Sequence, residues 1–342
     1  MKIIQCNRAN GAEWDSFLYS RPTSSFYHLF GWKNIIESCL GHKIYYFAAV
    51  EDGRFQGVLP LVYIDSLLFG KILCSMPFLN FGGICAANPA TEKALLDEAK
   101  HLVDRERMAY LELRNMVKSN EPLPTSEKKV SMTLSLNDDP DVIWNGFKSK
   151  QRNSIRRAYK NGLSVKDGGM ELLDDFYLIL SQSWRALGTP IYRRDFFAEI
   201  ISTFPDDTRI FVLYHDGQPV AAAFNGYFRD VVEGMWLGID YRFQSLQPNY
   251  MLYWEMIKHG CKNGYRLFHL GRSSSESGGE FFKKKWNAET KQLYWQYYLG
   301  TSKNIPELNV HNPKFQLAIQ LWRKLPLLLT KILGPPIAKN IP

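Results

Sequence analysis

The sequence repeats one short pattern twice, and the repeat restricts the folds that this chain can adopt. Each half contains a hairpin with an Asp-Gly turn, then a helix, then a strand that ends at an arginine. The turns begin at Asp52 and Asp216, 164 positions apart, and the arginines are Arg114 and Arg272, 158 positions apart. The predicted elements are strands 43–50 and 56–64, helix 91–107 and strand 109–114, then strands 209–215 and 219–227, helix 250–262 and strand 266–270. The similar offsets predict a duplicated α/β (α+β) domain of about 160 residues.

A stretch rich in turn residues separates the two halves. Pro122, Pro124, Pro140 and the pair Asp138-Asp139 surround one short predicted strand at 130–136. A single hydrophobic core stops growing at about 250–300 residues, so a chain of 342 residues favours two domains. We therefore expect an N-terminal domain over 1–140, a second domain over 141–300 and a tail over 301–342.

Composition and charge exclude several classes of protein. With 45% hydrophobic and 22% charged residues, the chain is an ordinary globular protein. The N-terminus is unlike a signal peptide, no apolar run is long enough for a membrane span, and the five cysteines form no CxxC pair, so we expect a cytoplasmic protein. The seven histidines show no metal-ligand spacing, which predicts that no metal is bound. Residues 141–342 hold 27 Lys and Arg against 18 Asp and Glu, which indicates an anion-binding second half.

The most informative segment is a basic helix predicted over 143–162. Its cations Lys148, Arg152, Arg156 and Lys160 recur every four residues and so share one stripe of the helix. Like charges at this spacing destabilise a helix by about 0.2–0.5 kcal/mol per pair, and no acidic residue between positions 148 and 160 relieves them. A bound polyanion would relieve the repulsion. The alternative is a solvated face.

A second segment, 271–286, follows the last predicted strand of the second half. It reads GRSSSESGGEFFKKKW and matches neither a Walker loop nor a nucleophile elbow. Glycines and hydroxyls after a strand, with Arg272 on one side and Lys283 on the other, suit an oxyanion or a phosphate, because backbone N–H groups and cations would converge on it. The alternative is a flexible surface loop.

The C-terminal tail carries an amphipathic helical pattern interrupted by Pro326. An apolar face is expected from Phe315, Ala318, Ile319, Trp322 and Leu325, with Arg323, Lys324 and Lys331 beside it. Such a helix can rest on the surface of an anionic membrane, which would make the protein peripheral on the inner face of that membrane. The alternative is a closing helix packed on its own protein.

Three motifs together resemble the FemAB-related transferases. They are K-x-x-x-R-x-x-I-R-R-A-x-K-x-G at 148–162, L-Y-W-E-M-I followed by G-Y-R-L-F-H-L-G-R-S at 252–273, and F-K-x-x-W at 282–286. Trp32, the strand V-L-P-L at 58–61 and M-P-F-L-N-F-G-G at 76–83 resemble the subgroup found beside exosortase and PEP-CTERM systems. The resemblance spans about residues 20–300. It implies two tandem GNAT-like domains, each a mixed, mostly antiparallel sheet flanked by helices.

The resemblance also implies an activity and a set of site residues. The expected reaction is transfer of an aminoacyl or acyl group to an amine or hydroxyl of a peptidoglycan or exopolysaccharide precursor of the cell envelope. By resemblance, Lys283 stabilises the tetrahedral oxyanion, and Arg272 and Ser273 line the same cleft. The residues expected to bind substrate are Lys148, Arg152, Arg156, Arg157, Trp286, Asn249 and Tyr250. Such a reaction depends mostly on proximity and electrostatic stabilisation.

The donor of the transferred group stays open between aminoacyl-tRNA, acyl-CoA and an acyl carrier, and no tightly bound cofactor is expected. An acetyl-CoA-dependent GNAT protein has a glycine-containing loop before its central helix, but the corresponding stretch 242–251 (RFQSLQPNYM) has no glycine. No heptad pattern extends far enough for the coiled-coil arm of larger relatives. Two alternatives remain: a CoA- or carrier-dependent N-acyltransferase of exopolysaccharide sugars, and a non-catalytic GNAT-like module that binds a polyanion.

Overall fold

A computed structural model describes residues 1–66, 70–306 and 313–342, with side chains from residue 316 onward in the last range. Contacts divide the chain into two compact units. Unit 1 comprises Met1–Val130, Gln292–Leu308 and Lys339–Pro342, and unit 2 comprises Ser131–Lys291 and Asn309–Ala338. A division of the chain into domains at residue 140 stays a prediction.

Both halves of the chain contain strands and helices. The first half contains β1 (Lys2–Gln5), α1 (Gly11–Tyr19), α2 (Gly31–Ile35), β2 (Lys43–Glu51), β3 (Arg54–Ser66), β4 (Gly70–Ser75), β5 (Cys85–Ala86), α3 (Pro89–Arg105), β6 (Tyr110–Asn115) and β7 (Thr125–Ser135). The second half contains α4 (Pro140–Gly146), α5 (Ser149–Lys160), β8 (Ser164–Gly168), α6 (Leu173–Leu187), α7 (Arg194–Thr203), β9 (Thr208–His215), β10 (Gln218–Phe228), β11 (Val231–Ile239), α8 (Pro248–Lys262), β12 (Leu267–Ser274), α9 (Gly278–Lys284), β13 (Glu289–Leu299), α10 (Pro313–Lys324) and α11 (Leu327–Ala338).

Each unit contains the same mixed sheet. In unit 1 the strand order is β1-β2-β3-β4-β6-β13, and only the β4–β6 pair among those described is parallel. In unit 2 the order is β12-β11-β10-β9-β8, and the parallel pair is β11–β12. A hairpin, a third antiparallel strand, a helix and a parallel strand therefore follow one another twice, which confirms the predicted fold of two tandem, mostly antiparallel, GNAT-like domains.

The central helix of each unit forms because its apolar residues recur at helical spacing. In α3, the side chains of Leu95, Ala99 and Leu102 are buried against the leucines of β3, β4 and β6. In α8 nine residues are buried, among them Leu252, Met256 and Gly260. On the other face of the unit 2 sheet α6 packs closely, because Gly238 of β11 leaves room for its backbone. Among the described residues no helix combines the length and apolar character that a membrane span requires.

Candidate functional site

The basic segment of unit 2 forms two helices, so the prediction of one continuous helix over 143–162 is wrong. Helix α4 ends at Gly146, Phe147 and Lys148 are extended with ψ of 146°, and α5 begins at Ser149. The break has a packing cause: the buried ring of Phe147 makes edge contacts with Trp254 and Trp286, with centroids 5.9 and 5.4 Å away. Apolar packing therefore overrides the helical periodicity.

The break divides the predicted cation stripe into two groups. Arg152 donates from Nη1 to the carbonyl of Asn145 at 3.3 Å, and the Arg156 guanidinium lies 5.3 Å from the ring centroid of Trp144, so both contact α4. Arg157 is exposed. Lys148 precedes the helix, and its carbonyl accepts hydrogen bonds from the next turn. Of the predicted stripe, only Lys148 lines the cavity described next.

This cavity of 340 Å³ lies beside the first turns of α5 and α8 and along α9. Its lining residues are Lys148, Lys150, Gln151, Tyr250, Phe281, Lys284, Lys285 and Asn287. Among these described residues four are lysines and none is acidic. Lys284 also pairs with Glu280 of the same helix at 2.8 Å, which partly offsets the charge of this one lysine. Cations that converge from two helices have the chemistry that binds a phosphate or pyrophosphate group.

Tyr250, which lines this cavity, packs against buried aromatic rings. Trp286 is fully buried, with its ring stacked on Tyr253 at 5.4 Å and its centroid 6.2 Å from that of Tyr250. Trp286 therefore positions Tyr250, which lines the cavity, and is itself covered by protein. In the described part of the chain, Asn249 Oδ1 and Trp286 Nε1 are buried without a hydrogen-bond partner.

Lys283 lies on the same short helix but extends into the protein. Its Nζ donates to the carbonyl oxygens of Gly271 at 2.7 Å and Arg272 at 3.1 Å, at the end of β12. Burial, with the nearby charge of Arg272, lowers the pKa of Lys283 to about 7. The amine therefore changes charge near neutral pH, a property that is common for groups at functional sites.

A glycine allows this close approach of the lysine to the strand. Gly271 has a φ of +80°, and a Cβ there would lie 2.8 Å from the Gly234 carbonyl oxygen and 3.5 Å from Lys283 Nζ. Ser273 lies near the start of α9, since a Cβ on Gly279 would be 3.5 Å from Ser273 Oγ. The segment 271–286 is therefore the end of a strand followed by a helix, and not the flexible loop that was the alternative interpretation.

Sequence reasoning missed a buried ion pair on the neighbouring strands. His269 Nδ1 and Glu233 Oε1 are 3.0 Å apart, and both side chains are buried. Burial opposes protonation, but the carboxylate of Glu233 outweighs it and raises the pKa of His269. A glutamate inside the otherwise apolar strand VVEGMWLGI is the one sequence signal of the pair. His269 lies two residues before Gly271, so the contact joins β12 to β11 just before Arg272 and Ser273.

Comparisons with known proteins agree with this architecture. A family model described as an acetyltransferase (GNAT) domain matches residues 149–284. The crystal structure of FemX superposes with a TM-score of 0.66 at 16% identity and covers 94% of this chain and 100% of that chain. The C-terminal DUF2156 domain of a lysylphosphatidylglycerol synthetase candidate from Agrobacterium fabrum gives 0.58 at 14% identity, covering 85% and 92%.

A tandem GNAT protein from the clavulanic acid biosynthesis pathway gives a TM-score of 0.56 at 10% identity, covering 89% of this chain and 99% of that chain. No curated protein matches the sequence at a significant level. The matched segment contains α5, the 3.0 Å Glu233–His269 pair, Lys283 and the central helix α8. The chain thus has a GNAT-like fold that is similar to the fold of FemX, and residues 149–284 are similar to the GNAT acetyltransferase domain.

Proposed function

We propose that this protein is an acyltransferase that moves an aminoacyl group to an amine or hydroxyl of a phosphorylated cell-envelope precursor. The cavity of unit 2, with four lysines and no carboxylate among its described lining residues, is the observation on which the proposal rests. A peptidoglycan or exopolysaccharide precursor linked to a nucleotide or a lipid carries the pyrophosphate that such a cavity would bind. The volume of 340 Å³ is within the usual range for small-ligand sites.

The segment before α8 supports a donor other than acetyl-CoA. A GNAT pyrophosphate cradle needs unpaired backbone N–H groups, but here the amides of Phe243, Gln247 and Tyr250 already donate to carbonyls within the segment. The amide of Arg242 donates to Asp240, and Pro248 has no N–H. The similarity in fold to FemX and to a lysylphosphatidylglycerol synthetase candidate makes an aminoacyl ester, such as aminoacyl-tRNA, the donor that we propose.

In the proposed step the acceptor amine attacks the ester carbonyl of the donor. A C–N bond forms and the C–O bond to the donor breaks, while the proton of the amine passes to the departing hydroxyl. The tetrahedral intermediate carries an oxyanion, and protonated Lys283 would stabilise it from the end of β12. Removing one such donor typically costs about 10²–10³ in kcat.

The experiment that tests the proposed transfer is mass analysis of lipid-linked and nucleotide-linked envelope precursors in cells with and without the gene. We expect one precursor to lack an increment equal to an amino-acid residue when the gene is deleted. An acetyl or longer acyl increment would refute the aminoacyl donor. Identical profiles would refute the proposed transfer and favour a polyanion-binding module.

The role of Lys283 is tested separately by pH. Only the protonated amine can stabilise an oxyanion, so with a pKa of about 7 its contribution is present below pH 7 and lost above it. The ratio of kcat for wild type to kcat for Lys283→Arg should fall as pH rises through 7, because arginine stays charged and the ratio cancels the titration of the acceptor. A ratio that rises with pH would make Lys283 a base. Lys262→Ala, on the exposed end of α8, is the matched control.

A further inference from the structure

The last two helices expose an apolar surface that the proposed transfer does not use. We call it the tail surface, and it consists of Leu317, Leu321, Leu328, Leu329, Ile332, Leu333 and Ile337. These are seven of the sixteen large hydrophobic side chains that are exposed in the described part of the chain. Leu328 is 69% exposed and Ile332 is 60% exposed. A concentration of this kind marks an interaction surface, whereas scattered exposed leucines do not.

The same helices are fixed to unit 2 by their other face. A Cβ on Gly188 would lie 2.5 Å from Ile319 Cγ2, so the start of the loop after α6 contacts α10 directly. Arg323 donates from Nη2 to the Leu187 carbonyl at 3.2 Å, and Arg185 donates to the Leu325 carbonyl at 3.3 Å. Thr330 of α11 is buried. The tail is therefore packed on its own protein and also presents an apolar outer face.

This arrangement differs in part from the expected apolar face. Ile319, Trp322 and Leu325 are partly buried on the inner side, Ala318 is exposed, and the side chain of Phe315 lies outside the described residues. The outer leucines follow a second stripe, which Pro326 divides between α10 and α11.

The charged residues of the tail favour an anionic binding partner. Residues 313–342 include Lys314, Arg323, Lys324, Lys331 and Lys339, and no Asp or Glu. Lys331 is held against the ring of Tyr177 at 5.0 Å, whereas Lys324 is exposed. Exposed apolar side chains bordered by cations suit the headgroup region of an anionic bilayer, which accepts both. A symmetric contact between two copies would bring like charges together, because each copy would present the same patch.

We infer that the tail surface binds the surface of an anionic membrane, with α10 and α11 lying in the headgroup region and Lys324 near the lipid phosphates. The inference is independent of the reaction proposed above. It rests on three observations. The apolar surface is exposed, every charged side chain in residues 313–342 is a cation, and the inner face of the two helices packs against α6 and the loop after it.

Vesicle flotation of the full chain tests the inference. We expect binding to vesicles of phosphatidylcholine with 30% phosphatidylglycerol, about tenfold or more weaker binding to pure phosphatidylcholine, and weaker binding as salt increases, since each cation near the surface contributes measurably. The variant Leu321→Ser/Leu328→Ser/Ile332→Ser should lose binding to both vesicles. The variant Lys324→Glu should still bind both vesicles but should lose part of the preference for phosphatidylglycerol.

The matched control is Val117→Ser/Val142→Ser, which removes two other exposed apolar side chains and should bind vesicles like wild type. All the substituted apolar side chains are exposed, so these variants should keep the wild-type unfolding midpoint. Equal flotation of wild type and the triple serine variant would overturn the inference. So would absence of binding to every vesicle, or a wild-type dimer in sedimentation that the triple variant turns into a monomer.

Discussion

The two arginines that mark the repeat have opposite environments. Arg114 of unit 1 is 1% exposed, pairs with Glu112 at 2.7 Å, donates to the carbonyl of Pro77 and stacks on Trp295. Arg272 of unit 2 is partly exposed and lies beside Lys283, whose pKa its charge helps to lower. The arginine that ends the helix–strand pair thus belongs to a buried ion pair in unit 1, whereas in unit 2 it is partly exposed and lies beside a second cationic side chain.

The cavities at the two central helices differ in the same way. The unit 1 cavity of 210 Å³ borders the start of α3, and its charged lining residues Lys118 and Glu92 have opposite signs. Lys118 also lies 3.6 Å from Glu127. The unit 2 cavity has four lysines and no acidic lining residue in the described chain. The two cavities therefore differ in charge, with opposite signs in unit 1 and only cations in unit 2. Under the proposed function, unit 2 would hold the anionic substrate and unit 1 would serve the fold.

The largest expected effect is the loss of the buried arginine. Arg114→Met should lower the free energy of unfolding by about 3–5 kcal/mol, because it leaves Glu112 buried without its partner. Arg272→Met should cost about 1 kcal/mol or less, as expected for a partly exposed side chain, and should lower the rate of transfer. Urea denaturation of both variants measures the difference. Similar losses of stability would contradict the assignment of different roles.

Acid stability should depend on the buried histidine of unit 1. His28 accepts from Ser25 N and donates to the Gly83 carbonyl, and burial lowers its pKa to about 4. Between pH 6.5 and 4 the unfolded chain binds a proton that the folded chain excludes, so the free energy of unfolding falls as pH falls. The loss is about 3 kcal/mol over this window. Denaturation measured at a series of pH values should show that the unfolding free energy of His28→Gln falls less than that of wild type between pH 6.5 and 4. We call this part of the stability profile the acid limb.

His269 of unit 2 should give the opposite sign. Its pKa is raised by Glu233, so its stabilising contribution is complete below pH 6.5 and is lost as pH rises through the higher folded value. His269→Gln should therefore flatten stability on the neutral-to-alkaline side and leave the acid limb in place. A change confined to the acid limb would contradict the ion pair.

The sequence predicted the repeated fold well, because hairpins and helices follow local turn chemistry and periodicity. The predicted strands and helices agree with β2, β3, α3, β9, β10 and α8 to within a few residues. The prediction of a continuous helix over 143–162 failed at Phe147, because long-range contacts with Trp254 and Trp286 interrupt the helical pattern. Spacing along one helix cannot show a burial partner more than 100 residues away.

The residues of the candidate site could be predicted from the sequence only in part, for the same reason. Lys148 and Tyr250, which the resemblance implied as substrate-binding residues, line the cavity. Lys150, Lys284 and Lys285 reach it from elements whose packing the sequence does not reveal. The assigned roles of the predicted residues stay predictions. The Glu233–His269 pair required the parallel register of β11 and β12, which no local pattern specifies.

A smaller loss of stability should come from substitution of Gly271, the glycine that contacts Lys283. Gly271→Ala should cost about 2 kcal/mol, since it combines a positive φ with a close contact to the Gly234 carbonyl. Gly217→Ala is the matched control: its φ of +76° is nearly the same, but nothing lies within 4 Å of the added Cβ. The difference in unfolding free energy between the two variants isolates the contact. Equal costs would mean that β12 and β11 separate easily at this point.

The smallest expected effect is on anion binding, and it tests the comparison of the two cavities directly. Lys148→Ala/Lys285→Ala should weaken binding of inorganic pyrophosphate to the full chain by about tenfold in calorimetry, and should reduce the salt dependence of that binding. Lys118→Ala in unit 1 should change it by less than about twofold, because Glu92 and Glu127 offset that charge. Arg152→Ala/Arg156→Ala, which removes cations that contact α4, should have an intermediate effect. If Lys118→Ala weakened binding as much as the double lysine variant, the anion site would not belong to unit 2 alone, and the division of roles between the units would be wrong.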